Sequence, residues 1–162
     1  MWCSLLYNSA MTRKKTRRKI YDLICPVTHA ITGASITDEE SLNFLRKKEN
    51  DSYEAFRTGV ATKQDWNNIN AVARLAEVMS DSGIGPEVMV HVKIAEMHLL
   101  DCQARFQRTG KMGATGLALQ SFKEILEWHD LQRTSVARSV YETHIKRVTD
   151  MIRAKSPKIN FL

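Results

Sequence analysis

The sequence predicts an all-α protein, an antiparallel bundle of four to six helices with a basic, flexible N-terminal arm. Three observations carry that prediction. Apolar residues recur at helical spacing through most of the chain. Only three prolines and seven glycines punctuate 162 residues, of which 43% are hydrophobic, a composition that suits a single helical domain able to bury a core. The net charge of +6 is confined to one place. Arg13, Lys14, Lys15, Arg17, Arg18 and Lys19 supply six positive charges in seven residues, and without them 18 basic residues face 18 acidic ones.

Three regions follow: a basic arm over 1–22, one helical domain over 23–155 and a tail over 156–162. Met11 is the more natural beginning, so residues 1–10 are left out of the fold. They lack the positive n-region of a signal peptide. Residues 23–36, LICPVTHAITGASI, are apolar but aperiodic and interrupted by Pro26 and Gly33. They read as an extended segment lying against the body.

Thr37 and Glu40 form a capping-box pattern that starts a helix. Leu42 and Leu45 face inward and Phe44 sits at the margin. Asn50-Asp51-Ser52 either interrupts this helix near Lys48 or is carried through to a stop at Gly59. Thr62 caps the next helix, which runs to about Asp81 with Trp66, Ile69, Val72, Ala73, Ala76 and Met79 on one face. Ser80 to Gly85 is a tight turn, which favours an antiparallel hairpin.

Residues 86–109 mark the core helix. Val88, Val92, Ala95, Leu99, Cys102 and Phe106 are spaced 4, 3, 4, 3, 4 and form one stripe. Pro86 opens the helix and Gly110 closes it. Met89, Met97, Leu100 and Ala104 add a second apolar arc, which is either covered within the monomer or meets a partner. Burial within the monomer is the simpler expectation.

Residues 108–116, RTGKMGATG, form the glycine-rich loop. A phosphate-binding loop needs Ser or Thr after its lysine and a preceding strand. Here Met112 follows Lys111 and a helix precedes, so the loop reads as a helix connection. From Leu117 to Ala154 no glycine or proline occurs. Ala118, Phe122, Ile125 and His129 form one stripe; Ala137, Tyr141, His144, Val148 and Met151 form another. The two point about 80° apart at the helical period, which favours two helices meeting near Arg133 over one long curved helix.

Cys3, Cys25 and Cys102 are widely spaced and suit neither a disulfide framework nor a zinc site, which favours a reducing cytoplasm. Cys102 falls in the apolar stripe and is expected to be a small buried hydrophobe. No apolar run is long enough to span a bilayer. His98, His129 and His144 could meet between helices with Asp101 and Cys102, adequate chemistry for a transition metal. Three histidines at core margins account for them equally and more simply, and no metal or cofactor is expected. His129-Asp130 also spells the dipeptide of metal phosphohydrolases, without the further ligands that chemistry needs. No catalytic residue is assigned.

The arm is the strongest functional signal. A dense cationic segment favours a polyanion, and counter-ion release would make its binding salt-sensitive. Arg105, Arg108 and Lys111 extend this candidate nucleic-acid surface. Arg133, Arg138, Lys146, Arg147 and Arg153 line the outer side of the last helix and would widen it into a groove. The intervening Asp101, Glu124, Glu127, Asp130 and Glu142 argue instead for a solvated, ion-paired face.

SDSGIGPE (80–87), ARFQRTGKMGATG (104–116) and EILEWHDLQ (124–132) carry a resemblance over roughly 24–147. In their layout they resemble small prophage and mobile-element proteins of proteobacteria. The resemblance implies a cytoplasmic, accessory, non-enzymatic protein and assigns no site residue. The expected function is a non-enzymatic regulatory or accessory binding protein that contacts nucleic acid through its arm. The alternative is a helical protein–protein adaptor or inhibitor of a host factor, acting as a dimer.

Overall fold

The computed structural model describes residues 38–154. The arm, the apolar 23–36 segment, Thr37 and the C-terminal tail lie outside the described residues. Five α-helices follow one another: α1 (Glu39–Thr58), α2 (Lys63–Asp81), α3 (Met89–Thr109), α4 (Gly116–Thr134) and α5 (Arg138–Arg153). A single 3-10 turn, Pro86–Val88, leads into α3. The all-α architecture is therefore as the sequence predicts.

α1 is continuous through Asn50-Asp51-Ser52. Its cap is Asp38, one residue after the predicted Thr37, and the Asp38 carboxylate accepts from the Ser41 amide. Leu42 and Phe56 are buried and Leu45 is half-buried, whereas Phe44 is 69% exposed and stands clear of the core. Gly59 closes the helix in the left-handed conformation, which only glycine adopts without strain. Thr62 and Asp65 form a reciprocal capping box that opens α2.

The sequence places 86–109 at the centre, but α2 holds that position. It packs against each of the other four helices. Ten of its residues are buried, including Asn70, Arg74 and Ser80, because no side of it faces open water along its whole length. α3 buries only Val92, Ala95, Leu99 and Cys102. α4 lies against α1, α2 and α3. The core joins α1 to α4 through Phe56 and Phe122, whose rings meet edge-on at 5.3 Å. It joins α2 to α3 through the Trp66 indole N–H, which donates to the Leu99 carbonyl at 2.9 Å. Complete burial of Ile69, Phe122 and Ile125 contributes about 1.5–3 kcal/mol each.

The α4–α5 break falls at residues 135–137, as the divergent stripes predict. Thr134 and Ser135 do not cap α5. Their hydroxyls donate back to the Asp130 and Gln132 carbonyls at the end of α4, and Ala137 precedes α5 without a side-chain cap. Gln132 ties this end of α4 to the α2–α3 connection. Its amide nitrogen donates to the carbonyls of Ala76 and Ile84 and to the Ser80 hydroxyl.

Antiparallel packing sets two ends. Asp38, the α2–α3 turn and the end of α4 share one. The α1–α2 loop and the α3–α4 loop share the other, where the Lys63 ammonium sits 5.3 Å from the Phe106 ring centre.

Candidate functional site

Several cationic residues of the bundle are held in ion pairs within it. Arg133, expected on the outer side of the last helix, has no exposed side-chain surface. Its guanidinium forks onto Glu49 at 2.7 and 3.0 Å and also holds Asp130 at 2.6 Å. Arg46 grips the same Asp130 carboxylate at 2.7 Å. The four side chains form one alternating network between α1 and α4, beside a pocket of about 390 Å³ that Leu126 and Leu131 also line. Burial raises Glu49 above the usual carboxylate range, whereas Arg46 and Arg133 hold Asp130 below it against the cost of its own burial. Each acid in the network is held by a guanidinium, so the network is an ion-pair clamp.

Arg74, also buried, bridges Glu77 on its own helix and Glu96 on α3. Arg138 pairs with Glu142, and Arg57 with Glu54. A continuous basic groove along the last helix is thus not formed: Arg133 is interior, and Arg138 pairs with Glu142 four residues on, as expected of an ion-paired face. Lys146, Arg147 and Arg153 are exposed.

Arg105 and Arg108 lie in the last turns of α3, and Lys111 in the loop after it. Arg108 and Lys111 are exposed and Arg105 is half-buried. Arg105 leans over the loop, its guanidinium 3.7 Å from where a side chain on Gly113 would begin. This patch lies at the end of the bundle opposite Asp38, a helix length of about 30 Å away. The arm residues Arg13, Lys14, Lys15, Arg17, Arg18 and Lys19 lie outside the described residues.

The three histidines have separate surroundings. His129 is fully buried, with Nε2 3.2 Å from the Tyr141 hydroxyl. Burial, reinforced by Arg133, pushes it down to about 3, so it is neutral. His144 is buried on α5, and desolvation lowers it too. His98 is half-buried and reaches only Asp101, at 3.9 Å. Among the described residues no three His, Cys, Asp or Glu side chains gather to hold a metal ion. Cys102 is buried and its thiol is pushed up to about 11 by that burial, which makes it a poor nucleophile.

The second apolar arc of α3 differs most from expectation. Met89 packs against the core, but Met97 is 53% and Leu100 62% exposed, and Ala104 is exposed as well. Val90 and Ile94, not singled out in the sequence, join them at 63% and 39%. These five side chains span about 120° of the helix face turned away from α2 and α4. The signal was present as apolar residues on both sides of one helix, but a sequence does not say which side is covered.

No helix among the described residues is long and apolar enough to cross a membrane. No family model, no curated protein and no solved structure matches the chain.

Proposed function

We propose that this chain is a non-enzymatic regulatory or accessory binding protein that contacts nucleic acid through its basic arm. The observation that supports this is the division of charge. Residues 38–154 hold sixteen Lys and Arg against seventeen Asp and Glu, and five of the arginines form ion pairs at 2.7 Å or less. The body is balanced in charge, so the excess that would attract a polyanion belongs to residues 13–19. Arg108 and Lys111 offer a secondary contact. Such binding is backbone-directed, indifferent to sequence and strongly weakened by salt. A cytoplasmic setting in a mobile element accords with the wide cysteine spacing and with the sequence resemblance.

A gel shift with duplex DNA and RNA tests this. The chain should bind at about 50 mM salt and lose on the order of 10³-fold in affinity by about 200 mM. Replacing Arg13, Lys14, Lys15, Arg17, Arg18 and Lys19 by glutamine should abolish the shift. An unchanged shift in that variant overturns the reading.

The outer face of α3 favours a second reading, a helical adaptor that contacts a protein. Apolar surface of this extent on one helix is a contact surface more often than a solvent face.

A further inference from the structure

We propose that two copies of this chain pair through the outer faces of α3, antiparallel, about a two-fold axis passing beside Met97. This rests on the second reading above and names the partner.

The arc of Val90, Ile94, Met97, Leu100 and Ala104 is concentrated on one element. The other large exposed apolar side chains are more dispersed: Phe44 is alone on α1 and Val60 alone in the α1–α2 loop, Leu117 and Leu131 stand at opposite ends of α4, and of the three on α5 Val140 lies more than about 100° round the helix from Ile145 and Ile152. Two charged residues stand within the arc, Lys93 and Asp101, and both are exposed. They lie four residues before and four residues after Met97. A two-fold axis at Met97 reverses the helix and brings Lys93 of one copy level with Asp101 of the other, twice per pair. The same operation sets Ile94 against Leu100, Val90 against Ala104, and Met97 against itself. Every element of the arc then finds a complement in the arc itself, as an isologous interface demands. Parallel pairing in register would instead oppose lysine to lysine and aspartate to aspartate, which is repulsive.

The charges are available for this role. Among the described residues Lys93 makes no ion pair, and Asp101 reaches only His98, at 3.9 Å. A contact built on one helix from each copy sits at the small end of stable interfaces, under roughly 1,200 Å². Self-association on the order of 1–100 μM is therefore expected.

Sedimentation of the full chain at about 0.15 M salt, from roughly 1 to 500 μM, tests the pairing. The mass should climb from one copy towards two. Met97→Glu places two carboxylates on the axis and should hold the chain monomeric across that range. Lys93→Glu and Asp101→Lys should each weaken association about tenfold, and the double variant should restore it, because opposite charges then face each other again. All three positions are exposed, and an unchanged far-ultraviolet dichroism spectrum confirms the fold of each variant. A chain monomeric at every concentration overturns the pairing, whether the face is bare or covered by residues 1–37. So does a dimer indifferent to Met97→Glu, or one that the double exchange fails to restore. The broader reading of α3 as a protein contact fails separately, if Met97→Glu leaves capture of proteins from the native cell extract unchanged.

Discussion

Removing the Arg133 side chain would strand Glu49 and Asp130 in partly buried positions with one guanidinium, that of Arg46, between them. Breaking a buried pair from one side typically costs about 3–5 kcal/mol. Arg133→Ala should therefore lower the urea midpoint severely, and Arg133→Lys less so, since charge survives but the fork does not. A loss below about 1 kcal/mol would mean that water already reaches the clamp. His129 gives a residue-scale test in pH. Its folded value of about 3 lies below its ordinary 6.5. Below pH 6.5 protons bind the unfolded chain preferentially, so stability is lost as the pH is lowered, at up to about 1.4 kcal/mol per unit. Glu49, raised by burial, acts in the opposite sense in the carboxylate range. The cleanest window is thus about pH 5 to 6.5. Urea unfolding across it should show a slope that His129→Gln flattens, and an unchanged slope would place the titration elsewhere, His144 first. The burial of His129 was legible from its place in an apolar stripe. That of Arg133, four residues on, was not. Its partner Glu49 is 84 residues away, and nothing local distinguishes an arginine with a distant carboxylate from one facing water.

Helix limits were the most legible feature at the scale of elements. Gly59, Thr62, Pro86 and Gly110 each act at a helix end as their chemistry directs. Gly85 does more than end a turn. It is left-handed, and a β-carbon there would lie 3.3 Å from both Gln132 Cγ and Val88 Cγ2. Gly59 and Gly110 share the conformation, but a β-carbon on either meets nothing within 4 Å. Alanine at those two positions should cost about 1–2 kcal/mol for conformation alone. Gly85→Ala should cost more, because it also presses on the glutamine that ties α4 to the α2–α3 connection. Thermal melting of the three variants checks the order, and equal losses would show that Gln132 yields freely. The rank of the helices was less legible. Regular spacing in 86–109 identifies a stripe, and a stripe on one side is what a peripheral helix needs. The central α2 carries Asn70, Arg74 and Ser80 among its buried residues, polar positions that blur periodicity in the sequence. Their burial follows from having neighbours on all sides.

For the whole molecule, fold class and charge division were readable because both are sums over many residues. The position of a surface relative to the arm was not, since it depends on how helices are ordered in space. The described chain enters at Asp38, at the end of the bundle opposite the α3–α4 loop. Antiparallel pairing through α3 would therefore send the two entry points to opposite ends of the assembly, on the order of 30 Å apart along it. If each arm grips a polyanion as proposed, two such grips on one long ligand would act as a bivalent clamp. Once the first is engaged, the second competes at a local concentration in the millimolar range. Avidity of that kind would reward length in the ligand over sequence, and short oligonucleotides would gain nothing from it.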